Sequence, residues 1–328
     1  MQAATRSIDR RLIGKSPAMA QLKQEIQRLA GLEVTVLIEG PSGSGKELVA
    51  ELIHAYSPRR EHPWVAINCG AIPNDLFESE LFGHRAGAFT GAADHKKGLL
   101  AVANQSTLFL DEIGELPKKM QVKLLRVLET GLIRPLGGTE ERPIDVRIIA
   151  ATNQPIDQLV ADGQFRLDLY HRLKVAHIQT PALSDLVEDL AVLSAHLLSN
   201  AAARFDLPRK ALSDAALQAL KHHPFPGNVR ELDHCLTRGL IRSAQDVIEY
   251  SDLGLAPLRD RMVPNASATP ALEPASRPPA QLLEALNTTE STLISQALKD
   301  NAYQRHAAAL QLGITERALR YRLKKHGL

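Results

Sequence analysis

Long apolar runs are missing from this chain. No stretch approaches the roughly 20 residues that a membrane-spanning helix needs, and Met1 to Arg11 lacks the apolar core of a signal peptide. Cysteine is equally scarce. Cys69 and Cys235 stand far apart without a metal-ligand partner pattern, which argues against a disulfide scaffold and fits a reducing compartment. Both read as small buried apolar residues. A cytoplasmic protein without membrane contact is expected. Aromatic residues are only 4% of the sequence, so a phenylalanine inside the glycine-rich stretch FGHRAGAFTGA, Phe82 to Ala92, stands out. Loops normally hide or omit such a ring.

What is present bounds the architecture. A chain of 328 residues with 44% hydrophobic residues can bury a real core and is long enough for two or three units. Net charge is only +2, but from Lys299 to the end seven lysines and arginines face two acids. A basic tail on a mildly acidic body points to a polyanionic partner for the tail.

From Leu12 to Val175, β-rich apolar runs alternate with amphipathic helical stretches, the pattern of a parallel sheet covered by helices. The strand candidates are VTVLIEG, WVAINC, TLFLDE, VRIIAATN and LKVAHIQ. Residues 176–253 form a second, helical subdomain, with purely helical periodicity from Ala182. Residues 254–281 read as a mobile linker, because six prolines fall between Pro257 and Pro279. Helical pattern resumes over 282–328.

The first subdomain carries a phosphate site. An apolar strand leads into Gly40, Pro41, Ser42, Gly43, Ser44, Gly45 and Lys46, and Leu48, Val49, Leu52 and Ile53 follow at helical spacing. This is the context of a P-loop: glycines let backbone N–H groups wrap phosphates, the helix N-terminus adds positive potential, and lysine supplies a point charge. Glu47 stands where a Mg²⁺-binding Ser or Thr is usual. In TLFLDEIGELP, a buried strand ends in Asp111 and Glu112. Asp111 can hold Mg²⁺ directly or through water, and Glu112 can polarise the water that attacks a γ-phosphate; two adjacent acids can also cap the next helix. Asn153 ends RIIAATN, in reach of a γ-phosphate or that water. Arg166 and Arg172 in FRLDLYHRL suit either a transition-state cation supplied by a neighbouring subunit or surface salt bridges. Arg230 in PFPGNVREL lies in the first turn of a helix, a position that favours anions.

The tail segment QRHAAALQLGITERALRYRLKKHGL reads as helix, glycine-containing turn, helix. Ala307, Ala308, Leu310, Leu312, Ile314, Leu319 and Leu323 can form one small core. Arg317, Arg320 and Lys324 share a face with Tyr321 beside them, and Arg305 precedes the turn. A solvated charged helix is the plainer alternative.

Together these segments, with ESELFGHRAGAFTGA, resemble the AAA+ domain of bacterial enhancer-binding proteins, the ATP-hydrolysing activators of sigma-54 RNA polymerase. The resemblance covers Leu12 to Leu253, and the tail resembles the Fis-type helix-turn-helix of the same activators. It implies an α/β P-loop NTPase with a parallel sheet and a helical lid, followed by a small all-α DNA-binding domain. ATP and Mg²⁺ are implied as ligands. A homo-oligomer, from dimer to hexameric ring, is implied on a palindromic enhancer site. Glutamate at position 47 then follows the family pattern. Asn68 becomes the residue that restrains Glu112, and Gly87, Ala88, Phe89, Thr90, Gly91 and Ala92 become the tip of a loop that touches sigma-54. Thr315 begins the recognition helix. Two readings share part of the pattern: a DNA-binding repressor whose ATPase only switches assembly, and a general AAA+ unfoldase with a DNA anchor.

The sequence departs from the family in LSDLVEDL, where Ser184 and Leu186 replace expected arginines. That departure opens the question of how the helical subdomain locks to the ring. The residues before Leu12 are too few to form a core, so no receiver domain is expected ahead of the ATPase. Assembly and hydrolysis without phosphorylation are the expected consequence.

Overall fold

The structure, a computed structural model, describes residues 8, 9, 11–88, 94–255, 297, 298, 301, 305, 308, 309 and 319. By its internal contacts the chain divides into two units, Met1–Leu258 and Arg259–Leu328.

The first unit is built on five parallel strands: β1 Val36–Glu39, β2 Trp64–Asn68, β3 Thr107–Asp111, β4 Arg147–Thr152 and β5 Ala176–Gln179. Their order is β2-β3-β4-β1-β5. Each expected strand forms. Both faces of the sheet are covered, so the strands are apolar on both sides, and alternate residues serve alternate cores. Leu37, Leu108, Leu110, Ile148 and Ala150 face one core with Phe77 and Leu81; Val36, Ile38, Phe109, Ile149 and Ala151 face the other. Helices α1 Pro17–Ala30 and α2 Lys46–Ala55 close the second core with Leu22, Ile26, Leu52 and Ile53. Helices α3 Asn74–Phe82 and α4 Lys118–Thr130 contribute to the first. Two short helices follow, α5 Ile156–Ala161 and α6 Leu167–Leu173. The single tryptophan, Trp64, stacks on Phe109 with ring centroids 5.4 Å apart, which makes its fluorescence a reporter of this core. The end of α1 is closed by the buried Arg147, whose guanidinium donates to the carbonyls of Leu29 (2.7 Å) and Ala30 (3.2 Å).

Beyond β5 the chain makes three longer helices, α7 Leu190–Phe205, α8 Asp214–His222 and α9 Asn228–Arg242. They enclose a third core around Leu198, Leu220, Leu236 and Leu240. The expectation of purely helical structure here needs one correction: Ala211–Leu212, between α7 and α8, and Val247–Ile248, after α9, pair as a two-residue parallel ladder.

Within one subunit, other contacts occupy the region of the absent arginines. Leu186 is buried among Leu12, Met19 and Leu22 of the ATPase body, so an apolar plug sits where the family pattern has a cation. Three residues on, the buried Asp189 accepts the backbone N–H of Lys15 at 2.6 Å and of Ser16 at 3.1 Å. Gly14 is required beside it, since at φ +140 an added Cβ would lie 2.6 Å from Asp189 Oδ2. Ser184 is exposed and bonds only locally, to Asp185 at 3.4 Å.

In the second unit, Ala297, Ala308, Ala309 and Leu319 are buried together, which agrees with Ala308 and Leu319 as core positions. Arg305 is helical and exposed. Ala307, Leu310, Leu312, Ile314, Thr315, Arg317, Arg320, Tyr321, Leu323 and Lys324 lie outside the described residues, as does the linker from 256 to 281.

Asp189→Ala leaves the N–H groups of Lys15 and Ser16 without acceptors, and a loss of about 1–3 kcal/mol is expected in urea unfolding followed by Trp64 fluorescence. Burial, the largest influence on Asp189, works to raise its pKa, yet the bonds from Ser16 and Lys15 and the charge of Lys23 outweigh it and the pKa is lowered. The stabilisation is therefore present at neutral pH and lost as pH falls through that lowered pKa. Asp189→Ala unfolding should accordingly show a shallower acid dependence than wild type.

Candidate nucleotide site

Parallel pairing sets the frame of the site. Asn68 lies opposite Asp111 in the ladder and Glu39 opposite Thr152, so Gly40, Glu112 and Asn153 all emerge at the carboxyl edge of the sheet. There a cleft of about 500 Å³ is lined by Ser42, Gly43, Gly45, Lys46, Glu47 and Leu48 on the sheet side. Asp111, Glu112 and Asn153 form its floor, and Leu197, Val229, Arg230 and Asp233 of the helical subdomain close it.

The loop before α2 is shaped for an anion. Gly43 and Gly45 hold φ values of +73 and +91, and α2 begins at Gly45 without a side-chain cap. Its first-turn N–H groups are thus left for a ligand. Lys46 is buried and donates to the carbonyls of Gly40 (2.9 Å) and Pro41 (3.0 Å). Burial lowers its pKa; Asp111 and Glu112 work against that, while Arg230 adds to it. Ser44 bonds Thr180 hydroxyl to hydroxyl at 2.7 Å, and a Cβ on Gly40 would fall 2.0 Å from that same threonine oxygen. The loop is thus pinned on one side to Thr180, the residue that follows β5.

Opposite, the two acids differ in setting. Asp111 is half-buried, and burial raises its pKa, with the charge of Glu112 adding and the Glu112 N–H, Lys46 and Arg230 opposing. A carboxylate held up by burial beside a second acid is one that a divalent cation would draw back into its ionised form, so the donor set fits Mg²⁺. Glu112 sits in the left-handed region at φ 53, a costly conformation for a non-glycine residue that here turns its carboxylate away from the strand direction. That carboxylate lies over Gly70, where a Cβ would come within 2.7 Å of it.

The side chain of Asn68 reaches Asp111 Oδ2 at 3.4 Å, not Glu112. Its carbonyl oxygen accepts the N–H groups of Gly70 (2.9 Å) and Ala71 (3.1 Å), ordering the turn on which the Glu112 carboxylate rests. Cys69, next in the chain, has its thiol pKa pushed up to about 12 by burial and by the charges of Asp111 and Glu112, and takes no part in the chemistry. Cys235 is buried and raised likewise, chiefly by burial.

Arg230 is exposed at the mouth of the cleft, with Nη1 3.5 Å from Ser42 Oγ. Sequence reading overlooked its neighbour Asn228. Asn228 is buried at φ 50, donates to the Ser42 carbonyl at 3.0 Å and accepts the Leu183 N–H at 2.9 Å. It therefore ties the P-loop to the helical subdomain through one side chain. The available signal was an asparagine directly after Pro-Gly, a residue that tolerates the left-handed region.

Arg166 and Arg172 are absent from the lining of this cleft. Arg166 caps the start of α6 and pairs with Asp168, while Arg172 donates to the Leu128 carbonyl at 3.1 Å. Of the glycine-rich loop, Gly87 (φ +80) and Ala88 are described; Phe89, Thr90, Gly91 and Ala92 lie outside the described residues. Ala88 rests against Gly137, where a Cβ would approach to 2.8 Å. Gly83 and Leu136 exchange a backbone hydrogen bond of 2.9 Å beneath it.

With this geometry established, the comparisons are decisive. The chain matches the sigma-54 interaction domain over residues 12–179, the AAA+ ATPase lid domain over 185–268, and the Fis family of bacterial regulatory proteins over 285–326. It belongs to the sigma-54 interaction domain family. It is an AAA+ P-loop ATPase with a helical lid and a Fis-type helix-turn-helix domain.

Among its relatives is the response regulator protein PilR of Pseudomonas aeruginosa, 43% identical over 327 residues, spanning 100% of this chain and 72% of PilR. The anaerobic nitric oxide reductase transcription regulator NorR of Escherichia coli is 41% identical over 319 residues. That alignment covers 96% of this chain and 62% of NorR, so the chain spans less than two thirds of that relative. The crystal structures of NtrX from Brucella abortus superpose with TM-scores of 0.69 in complex with ADP and 0.70 in complex with ATP, each at 31% identity. The matches cover 100% and 99% of this chain and 72% of NtrX in both cases.

Asn228→Ala removes both ties at once and places alanine in a left-handed position. A loss of about 1.4 kcal/mol, within the range for unsatisfied buried partners, corresponds to tenfold weaker ATP binding. Titration with a fluorescent ATP analogue measures it, and unchanged affinity would mean the lid closes without this contact.

Proposed function

We propose that this chain binds enhancer DNA through its carboxyl-terminal unit, assembles as a homo-oligomeric ring, and uses ATP hydrolysis to convert closed sigma-54 RNA polymerase complexes into open ones in the cytoplasm. The observation that carries this reading is the gathering of Lys46, Asp111, Glu112, Asn153 and Arg230 around one cleft, in a chain that also holds the full Gly87–Ala92 hexapeptide. The working division of the chain is 12–175 for the α/β subdomain, 176–253 for the lid, 254–281 for the linker and 282–328 for the helix-turn-helix.

In the cleft, the Gly40–Gly45 loop, through backbone N–H groups from Ser42 onward, and the Lys46 ammonium hold the phosphates, and Arg230 adds charge from the lid. Asp111 takes the Mg²⁺, which when bound neutralises phosphate charge. Glu112 accepts a proton from the attacking water, and Asn153 orients that water or the γ-phosphate. Asn68 holds the turn beneath Glu112, so a change at the γ-phosphate can be passed to it. Arg166 and Arg172 act in a neighbouring subunit's cleft, because their own cleft does not contain them. That requirement favours a head-to-tail, closing arrangement, for which a hexamer is the family expectation. Phe89 and Thr90 contact sigma-54 at the loop tip, with Gly87, Ala88, Gly91 and Ala92 giving the loop its freedom. Dimers read a palindromic site through Thr315, Arg317, Arg320, Tyr321 and Lys324, with Arg305 against the backbone.

The deciding experiment is open-complex formation on a sigma-54 promoter with ATP against a non-hydrolysable analogue. Open complexes only with hydrolysable ATP are expected. Unfolding of an unrelated polypeptide without sigma-54, or repression without open complexes, would establish one of the two competing readings instead. Glu112→Gln is expected to bind ATP normally and to lose about 10²- to 10⁴-fold in hydrolysis, the usual contribution of a positioned base, in a phosphate-release assay. Phe89→Ala and Thr90→Ala should keep DNA binding and most ATPase activity, yet yield no open complexes in the promoter assay.

A further inference from the structure

Arg166 is held at both ends. Its backbone N–H donates to Gln121 Oε1 at 2.9 Å, and Gln121 is a buried amide on α4 that also donates to the carbonyls of Leu116 (2.9 Å) and Gln164 (3.1 Å). That fixes the Cα of Arg166 to the segment leaving Glu112. The side chain is fixed separately: Nε donates to Asp168 Oδ1 at 3.0 Å and Nη2 to Oδ2 at 2.6 Å, a bidentate fork. Asp168 is itself oriented, accepting the Leu169 N–H at 2.7 Å at the start of α6. Among the described residues Arg172 has no such carboxylate, and it donates to the Leu128 carbonyl.

We propose that Asp168 is a positioning residue for Arg166, setting the plane of its guanidinium so that the free edge meets the phosphates of ATP bound to a second copy of this chain. This rests on the reading of Arg166 as a cation acting across a subunit boundary. A guanidinium has five N–H donors, and the fork uses two of them. The two on Nη1 and the second on Nη2 point away from the carboxylate and are left for an anion.

In the isolated subunit the pair is 47% and 45% exposed, and such a surface pair contributes little to stability. The fork therefore has a small effect until something covers it. Val122 and Leu167, the chain neighbours of Gln121 and Arg166, are 50% and 54% exposed, an apolar margin suited to a second copy. Once water is excluded by that copy, the same charges interact far more strongly, and an arginine already in its working rotamer loses less entropy on meeting the phosphate. A carboxylate in this place orients the cation and competes with the phosphate for it. The bidentate geometry, which leaves one whole edge free, favours orientation.

The test is Asp168→Asn in the full chain, an isosteric change that keeps the acceptor for the Leu169 N–H. Misplacement of a charge-stabilising group costs about 10- to 100-fold in kcat. That loss is expected here with KM for ATP little changed, because Lys46 and Arg230, the cations that line each cleft itself, are untouched. Mixing Asp168→Asn with Glu112→Gln subunits should restore turnover, since the latter bring a correctly held Arg166 to the former's intact Glu112. Asp168→Glu should recover part of the rate, and Asp168→Asn should cost nothing further on an Arg166→Ala background. Wild-type kcat in Asp168→Asn overturns the proposal, and a raised kcat overturns it in favour of competition. A further loss on the Arg166→Ala background shows action through another group. The control is Arg166→Ala mixed with Glu112→Gln: no rescue there removes the trans role of Arg166 itself, whereas rescue there beside a wild-type-like Asp168→Asn removes only the role of Asp168.

Discussion

Parallel pairing of β1 with both β4 and β5 is the constraint on which the rest of this molecule depends. A parallel ladder brings like ends of strands together, so residues far apart in the chain share one edge. Gly40, Glu112 and Asn153 come from three separate segments, yet each leaves the sheet at the same edge because Glu39 lies opposite Thr152, Leu110 opposite Ala150 and Asp111 opposite Asn68. A slip of one residue would also exchange the two cores, moving Leu37 to the face of Val36 and Ile38. Packing on two faces thus enforces the chemistry at the edge.

The cleft needs a second wall, and the sheet cannot supply it. The lid is held by contacts of different kinds: the apolar plug at Leu186, the carboxylate of Asp189 on the lead-in to α1, and the amide of Asn228 on the P-loop. Neither Leu186 nor Asp189 lines the nucleotide cleft. The third reaches the loop that would wrap phosphates, and it is beside Arg230 in the same helix turn. An apolar contact in place of an arginine suits this chain because Leu186 gains burial without a cation to desolvate.

Charge in the cleft is arranged with deliberate imbalance. Lys46 is buried, and Asp111 is lifted by burial and by its neighbour. Each is in a state that phosphates and a cation would relieve: the anion would favour charged Lys46, and the cation ionised Asp111. Strain at Glu112, φ 53, is concentrated at the residue assigned to the water. By contrast Arg166 and Arg172 lie outside the lining of this cleft, and in the proposed function they serve the site of a neighbouring copy.

Much of this was legible in one dimension. Short β-rich apolar runs between helical segments determined the five strands, and glycine spacing before Lys46 determined the P-loop, because both are local consequences of backbone geometry. The pairs Asp111–Glu112 and Arg166–Arg172 were visible as residue types at strand and helix ends. Their partners were not. Nothing in the sequence joins Asn228 to Ser42, Asp189 to Lys15 and Ser16, or Arg166 to Gln121, since each contact spans an interval that only folding closes. For the same reason Asn68 could be linked to Glu112 only through the family resemblance, while its actual bond to Asp111 is fixed by the β2–β3 register. The sequence by itself determined which groups the site contains and which elements carry them. Tertiary structure alone decided which groups face one another, because hydrogen bonds between distant segments depend on packing distances that no local pattern encodes.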